Sequence, residues 1–258
     1  MRQYIVDVFT DKVFAGNPAA VCILDEWLDD ETMRLIAREN NLAETAFAVK
    51  ENGRYHLRWF TAEGEVCLVG HSTLAAAYVL VDYFDPHATE IDFETAAGSL
   101  RVTRDKDLYT LKRPVLPMEP ITVTADMIRM LGVIPKEAYK GRDYVFVLEN
   151  EDVLRNCCPD YFLIKKTDGA LVHITAQGEE YDCVTRSFPV SLSGIEDPVC
   201  GSGHLMIAPY WCGKLGKSEL NAYQASSRGG SLHCRYDGES VWLSGHVKLY
   251  SIAVLNIQ

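Results

Sequence analysis

Apolar runs of two kinds predict the first strands of the chain. Tyr4–Phe9 alternates between apolar and polar side chains, whereas Ala19–Leu24 is continuously apolar. The first pattern is typical of a half-buried strand and the second of a fully buried one. A helix is predicted to follow, capped by Asp29 or Asp30 and continuing to about Glu39, because a carboxylate there accepts bonds from the free N–H groups of the first turn.

The same rules predict the rest of the chain. Asn40-Asn41 ends the first helix and leads directly into a strand predicted over Leu42–Val49. Thr124 is predicted to cap a further helix, and a short helix is predicted around 159–166. The remaining strands are predicted near 55–60, 90–94, 98–103, 108–113, 143–148, 170–175, 182–188, 221–226, 231–236, 240–244 and 247–255.

Two apolar segments, 71–83 and 202–213, predict helices of another kind. Leu74–Val81 would be apolar on every face of a helix, which is typical of a helix buried within its own domain. Each segment begins in a glycine-containing turn, Gly70-His71-Ser72 in the first and Gly201-Ser202-Gly203 in the second. Three short strands after the first segment fit a sheet wrapped around it.

These two turns belong to an internal repeat. Glu65–Ala77 aligns with Glu196–Ala208, which places Gly70 on Gly201 at an offset of 131 residues. Chance similarity between two helix starts is the alternative interpretation. An offset close to half of the 258 residues favours duplicated architecture, because self-similarity at one spacing is typical of it.

A proline-rich stretch near the midpoint predicts the boundary between two domains. Three prolines fall within Arg113–Pro120, and domain boundaries are commonly rich in proline. We therefore predict an N-terminal domain over 1–115 and a C-terminal domain over 116–258, each presenting one of the two glycine turns. Whether the last strand, about 247–258, returns to the first domain is left open.

Composition excludes several classes of protein. The net charge of −11 and the lack of a basic stripe argue against a nucleic-acid partner, since phosphate binding needs clustered Lys and Arg. No stretch approaches the roughly 20 apolar residues of a membrane helix. The N-terminal sequence does not resemble a signal peptide, so we expect a cytoplasmic protein that does not contact a membrane.

The eight cysteines are expected to be reduced in that compartment. Cys67 with His71, and Cys200 with His204, have a spacing of four that would place metal ligands on one helix face. The two pairs are not equivalent in the repeat, however, and no Cys-x-x-Cys occurs. We therefore predict no metal site.

The two glycine turns are candidate anion sites. A helix N-terminus carries free N–H groups and partial positive charge, and two such sites facing one another would hold a carboxylate-bearing substrate between the domains. For either turn alone, an ordinary capped helix is the simpler interpretation. The occurrence of both turns in register favours a site.

Glu44 is the sharpest candidate for proton transfer. It follows Leu42-Ala43 and precedes an apolar strand, so its carboxylate is expected to be partly desolvated, which suits acid/base chemistry. A glutamate at a strand edge pointing to water is an equally weighted alternative. Asp197 is either a second carboxylate or a residue that fixes the turn, and His71 either contacts substrate or bonds to the helix backbone.

Cys200 precedes a glycine at a predicted helix N-terminus, a position expected to lower the pKa of its thiol. Racemases with two catalytic cysteines use one such thiol from each half. The equivalent position in the first half is Val69, which carries no proton. A two-thiol racemase is therefore disfavoured.

The chain resembles the PhzF family of phenazine-biosynthesis-like isomerases, which share the diaminopimelate epimerase fold. The resemblance extends nearly from end to end, and the order and spacing of its motifs are specific. Those motifs are Asp7-Val8-Phe9-Thr10, Phe14–Val21, Asn41–Phe47, Arg58-Trp59-Phe60-Thr61, Val69–Ala76 and Glu196–Ser202.

This resemblance implies an α+β fold of two pseudo-symmetric domains, each an antiparallel sheet or barrel curled around a central apolar helix, with the active site in the cleft between them. It implies that Glu44 shuttles a proton without metal or cofactor, and that the protein forms a homodimer. His71, Asp197 and Ser202 are implied as hydrogen-bond partners or secondary acid/base groups. The other candidate substrate-binding residues are Asn17, Gly70, Ser72, Cys200 and Gly201.

Two alternatives remain open. Many family members have Cys or Ala in place of Val69 and Thr in place of Cys200, so an epimerase that pairs Glu44 with the Cys200 thiol is conceivable. A non-catalytic protein that binds a small anionic metabolite is the second alternative. The family name does not supply the substrate.

Overall fold

The computed structural model describes residues 1–67, 69–191 and 196–257. The chain forms two compact units: unit 1 comprises Met1–Lys112 and the chain from Ser244 onward, and unit 2 comprises Arg113–Leu243. The first crossing between units lies where the proline-rich stretch begins. No helix among the described residues is both long and apolar enough to cross a membrane.

Unit 1 is built on a closed eight-stranded barrel. The strands are β1 (Arg2–Val8), β2 (Asn17–Leu24), β3 (Thr45–Glu51), β4 (Arg54–Phe60), β5 (Glu65–Val66), β6 (Glu90–Thr95), β7 (Gly98–Asp105), β8 (Leu108–Pro114) and β16 (Ser240–Val254). The barrel order is β1-β2-β3-β4-β6-β7-β8-β16, and β16 closes it by pairing with β1, while β5 pairs with β4. Its helices are α1 (Asp30–Asn40) and α2 (Gly70–Tyr83).

Unit 2 is also built on a mixed sheet of eight neighbouring strands. Its strands are β9 (Met118–Ile121), β10 (Glu137–Gly141), β11 (Tyr144–Val147), β12 (Leu171–Gln177), β13 (Cys183–Pro189), β14 (Glu219–Gln224) and β15 (Gly230–Tyr236), followed by the start of β16. They pair in the order β9-β10-β11-β12-β13-β14-β15-β16. Its helices are α3 (Ala125–Leu131), α4 (Glu151–Asn156), α5 (Tyr161–Ile164) and α6 (His204–Leu215).

The sheets of both units are mixed: antiparallel pairs predominate, and each unit also contains parallel pairs. In unit 1, β2–β3 and β4–β6 are parallel, and in unit 2, β11–β12 and β13–β14 are parallel. Each parallel pair is joined through helical connections, because parallel neighbours need a long crossover whereas antiparallel ones need only a hairpin. In each unit, one antiparallel pair, β3–β4 or β12–β13, separates the two parallel pairs.

The two apolar helices are buried, as their composition predicts. In α2 all but one residue of the stretch from His71 to Val81 is buried, and the helix packs on β1, β2, β3 and β7. In α6, which packs on β14 and β15, the Trp211 indole donates to Thr175 Oγ1 at 2.8 Å. Helix α1 instead has one buried face, on which Met33 and Ile36 pack against the residues of β2 and β3.

The strands predicted near 240–244 and 247–255 are one continuous strand, β16. Gly245 lies within β16 and against the Phe9 ring, where a Cβ would lie 2.4 Å from Phe9 Cδ1. The Phe9 and Thr10 N–H groups both donate to the His246 carbonyl. The chain therefore passes Gly245 without a turn.

Other boundaries differ from prediction at functionally relevant points. Strand β3 begins at Thr45 rather than Leu42, so Glu44 lies in the connection before it. Helix α6 begins at His204 rather than Ser202, because Gly201–Gly203 form a tight turn in which the His204 N–H bonds the Gly201 carbonyl. Short elements such as β9, β10 and α4 lack a strong apolar period and were not predicted.

Candidate functional site

Glu44 lies beside His71 in unit 1. Its Oε2 is 3.2 Å from His71 Nε2, and the two side chains are only 19% and 9% exposed, respectively. Both atoms are themselves buried. Glu44, which precedes β3, and His71, the second residue of α2, are thus neighbours in space although 27 residues separate them in sequence. The Glu44 carboxylate is largely shielded from water.

The connection that carries Glu44 is fixed at both ends. Asn41 ends α1 in the left-handed conformation, with φ of 51°, which asparagine tolerates better than most residues. The Asn40 amide donates to Thr45 Oγ1 and to Gln3 Oε1, each at 2.9 Å. These bonds join the end of α1 to β3 and hold the short segment between them in one position.

Helix α2 begins without a side-chain cap. Val69 occupies the capping position and offers no hydrogen-bonding side chain, so the first N–H groups of the helix have no side-chain acceptor from that residue. Ser72 is fully buried, and its Oγ has no hydrogen-bond partner among the described residues. The first turn of an otherwise apolar helix therefore holds a buried hydroxyl group whose hydrogen bonds are not satisfied by the described residues.

Asn17 lies at the start of β2, 1% exposed. The loop before it is shaped by Asp7, whose Oδ2 accepts from the Phe14 N–H at 2.9 Å. Gly16 has φ of +67°, and a Cβ there would lie 2.2 Å from the Val8 carbonyl oxygen. Only glycine fits this position, so the loop delivers Asn17 in a defined orientation.

Asp197 stabilises the backbone in unit 2. Its Oδ1 accepts from the Val199 N–H at 3.1 Å, its N–H donates to the Ser187 carbonyl, and its carbonyl accepts from Gln224 Nε2 at 2.6 Å. These contacts favour the turn-fixing interpretation of Asp197.

Cys200 does not have the environment expected of a reactive thiol. It is 4% exposed, and burial, followed by the neighbouring Asp197 charge, raises the pKa of its thiol well above the ordinary value. The expected lowering of the pKa by a helix N-terminus is therefore wrong. Helix α6 begins four residues later, and desolvation outweighs the field of the turn.

Gly203 packs against a buried histidine that the sequence analysis missed. His173 is fully buried, and its ring lies against Gly203, where a Cβ would approach Cε1 to 2.6 Å. Its Nδ1 lies 2.8 Å from Ser187 Oγ, and its Nε2 lies 3.2 Å from Asp143 Oδ2. Gly203 is therefore required for close packing.

Arg142 completes this cluster. Its guanidinium donates to both Asp143 carboxylate oxygens and to Ser202 Oγ at 3.0 Å. Burial alone would raise the pKa of Asp143, but bonds from His173 and Arg142 lower it to about 2. A histidine inside the apolar β12 was the sequence signal that could have revealed this cluster.

His204 is a second buried histidine. Its Nδ1 lies 2.8 Å from the Cys200 carbonyl oxygen, and burial lowers its pKa to about 4. It is neutral at physiological pH and anchors the start of α6 to the turn. Among the described residues, no group of three or more His, Cys, Asp or Glu side chains is placed to hold one metal ion.

The comparisons with known proteins agree with this architecture. The family described as "Phenazine biosynthesis-like protein" matches residues 6–255. An uncharacterised isomerase of Pseudomonas aeruginosa is 42% identical over 252 residues, which cover 98% of this chain and 97% of that protein. A PhzF-family crystal structure from Enterococcus faecalis is 44% identical, with a TM-score of 0.95 over 98% of this chain and 99% of that one.

A more distant structure shows the breadth of the fold. A predicted epimerase of Pseudomonas aeruginosa is 20% identical with a TM-score of 0.75, covering 100% of this chain and 99% of that one, a likeness of fold alone. The two-domain α+β fold is thus of the epimerase type, and the relatives identify an isomerase-type enzyme. The chain belongs to the phenazine biosynthesis-like, or PhzC-PhzF, protein family.

Proposed function

We propose that the protein is a cofactor-independent isomerase that moves a proton on a small carboxylate-bearing metabolite, with Glu44 as the general acid/base. The observation that carries this proposal is the Glu44–His71 pair, at 3.2 Å and largely shielded from water, beside the uncapped start of α2. Shielding strengthens the electrostatic interactions of a carboxylate with nearby charge, and proton transfer requires a positioned group of this type.

In this mechanism Glu44 removes a proton from carbon next to a carboxylate-stabilised or conjugated centre and returns it at another carbon. His71 is proposed to bind the reacting group or the carboxylate of Glu44 through Nε2, which lies within hydrogen-bonding distance of Oε2. The N–H groups at Gly70 and the Ser72 hydroxyl are proposed to stabilise negative charge that develops on the substrate. Preorganised donors of this kind commonly contribute most to such a reaction.

Unit 2 is proposed to bind rather than react. Gly201 and Ser202 are proposed to supply donors for an anionic group. Asp197 holds the backbone before this turn through its bond with Val199. Cys200 is proposed to be a buried packing residue, because its thiol is desolvated and weakly acidic, which disfavours the epimerase that uses it.

Solvent exchange tests the proposal. The protein is incubated in deuterated water with a panel of small unsaturated and 2-substituted carboxylic acids, and deuterium incorporation is followed by NMR. Incorporation by the wild type that is lost in Glu44→Gln supports the enzyme. Binding of an acid without any incorporation favours the non-catalytic metabolite-binding protein instead, and sensitivity of turnover to thiol alkylation favours the Cys200 epimerase.

The homodimer implied by the resemblance stays a prediction. Light scattering on the purified chain measures its mass directly, and a mass of about twice the 28.9 kDa of one chain is the expected result. A mass equal to one chain contradicts it.

A further inference from the structure

Arg142 holds a fixed cationic group at the surface of unit 2. Its side chain is 41% exposed, whereas its partner Asp143 is fully buried. Nε lies 3.1 and 3.0 Å from the two Asp143 carboxylate oxygens, and Nη2 contacts both Asp143 and Ser202. An exposed arginine is normally mobile, but two faces of this guanidinium are held in place.

Asp143 is itself anchored by a buried network. Its Oδ1 accepts from the Leu171 N–H at 3.2 Å, and His173 Nε2 lies 3.2 Å from its Oδ2. His173 is held on its other side by Ser187 Oγ, 2.8 Å from Nδ1. Three buried polar side chains, Asp143, His173 and Ser187, are thus joined by hydrogen bonds beneath one exposed arginine. Buried polar networks stabilise a protein only when each member has its partners.

The direction of the hydrogen bonds leaves donors unused. A guanidinium has no acceptor, so the Ser202 oxygen must accept from Arg142, and the Ser202 hydrogen points elsewhere. Its other contact is Cys200 Sγ at 3.5 Å, and sulfur is a weak acceptor. Arg142 Nη1 has no hydrogen-bond partner among the described residues. One N–H edge therefore remains for a ligand beside the Gly201–Gly203 turn, and the Ser202 O–H, whose acceptor here is the Cys200 sulfur, can turn to a stronger acceptor.

We propose that Arg142 and Ser202 together bind the carboxylate group of the substrate. This inference rests on the proposed function and names a binding residue, Arg142, that the motifs did not indicate. Planar N–H donors match a carboxylate and form charge-assisted bonds with it. Two donors facing one group distinguish a carboxylate, which has two acceptor oxygens, from an amide of the same shape, whose NH2 group cannot accept a hydrogen bond.

Binding of benzoate and benzamide to the full-length protein, measured by calorimetry or ligand-observed NMR, tests this inference. We expect Arg142→Gln to weaken benzoate binding about 10- to 100-fold, the range for a hydrogen bond to a charged group, with benzamide binding unchanged. Arg129→Gln is the matched control, because Arg129 is 73% exposed and pairs only with the exposed Asp126. Equal loss for both ligands, unchanged benzoate binding, or no binding of benzoate to the wild type overturns the proposal.

Two further measurements apply if Arg142→Gln destabilises unit 2 by leaving Asp143 without its cation. Ser202→Ala leaves the Arg142–Asp143 contact intact and is expected to weaken benzoate binding by about 3- to 10-fold. In the wild type, benzoate is expected to shift the arginine side-chain ¹⁵N resonance that Arg142→Lys removes, and an unshifted resonance contradicts the inference. Glu44→Gln separates the proposed acid/base role of Glu44 from the proposed binding role of Arg142. In this variant proton exchange should be lost, whereas benzoate binding should remain and should still depend on Arg142.

Discussion

Gly203→Ala is the most direct probe of how unit 2 holds its glycine turn. Gly203 has φ of −62° and ψ of −33°, a conformation that alanine adopts readily, so the backbone itself does not oppose the change. The added Cβ would lie 2.6 Å from His173 Cε1 and 2.9 Å from Nδ1. These distances are far inside van der Waals contact, and therefore either the ring or the turn must move.

The free-energy cost of Gly203→Ala follows from the contacts that hold the His173 ring in place. His173 is fully buried between Ser187 and Asp143, so a shift large enough to admit a methyl group also breaks or stretches one of these bonds. Overpacking a buried site costs about 1–3 kcal/mol, and a buried polar group left without its partner costs a further 1–3 kcal/mol or so. We expect Gly203→Ala to lower the free energy of unfolding by about 2–6 kcal/mol.

Urea unfolding, followed by near-UV circular dichroism, measures this loss. Gly213→Ala is the control, because Gly213 lies within α6 and a Cβ added there would have nothing within 4 Å, and alanine there should stabilise the protein by about 0.5–1 kcal/mol. In a double-mutant cycle, His173→Ala should remove most of the penalty of Gly203→Ala. A Gly203→Ala protein as stable as the wild type would refute the packing argument.

Three further predictions concern buried groups. The pKa of His204 is lowered from 6.5 to about 4, so stability is complete above about pH 6.5 and declines as the pH falls towards 4; urea unfolding should show a decline of up to about 3 kcal/mol, which His204→Gln abolishes. Iodoacetamide should label the exposed Cys67 and Cys158 but not the buried Cys200 in the folded protein, as peptide mass spectrometry would show; rapid labelling of Cys200 contradicts its burial. Gly245→Ala should lower the melting temperature, because its Cβ would overlap the Phe9 ring, and an unchanged melting temperature contradicts that contact.

The sequence pattern predicted the elements better than it predicted their pairing. The two buried helices follow from apolar residues on every face, and α1 follows from its cap at Asp29, whose Oδ1 accepts from the Thr32 N–H at 2.9 Å. Parallel pairs such as β2–β3 were not predicted, because strand direction depends on the route of the connection and not on the residues of the strand. The helices lying between those strands were the available signal.

Short polar elements were missed for a different reason. Strand β9 contains Pro120 and follows Pro117, so its sequence has the composition of a linker. It lies at one end of the strand order of unit 2 and pairs with β10, a position that tolerates proline. Local composition thus predicted a boundary where the chain forms a strand.

The candidate site could be predicted from the sequence only in part. The resemblance selected Glu44 and His71, but residue spacing alone could not show that two side chains 27 residues apart lie 3.2 Å from one another. Arg142 and Asp143 have no motif around them, because their role depends on burial and on His173 from another strand. Cys200 was misjudged since its desolvation is a tertiary property that no local pattern reports.

The rate of solvent deuterium incorporation in Glu44→Gln, relative to the wild type, tests the central claim most directly. Glutamine keeps the shape of the side chain and removes the base, so the account predicts a loss of at least about 100-fold, the scale of general acid/base catalysis, with the substrate still bound and the protein still folded. Glu44→Asp, which shortens the side chain but keeps a carboxylate, should retain part of the rate. Incorporation by Glu44→Gln at the wild-type rate would contradict the assignment of Glu44 as the proton-transferring group.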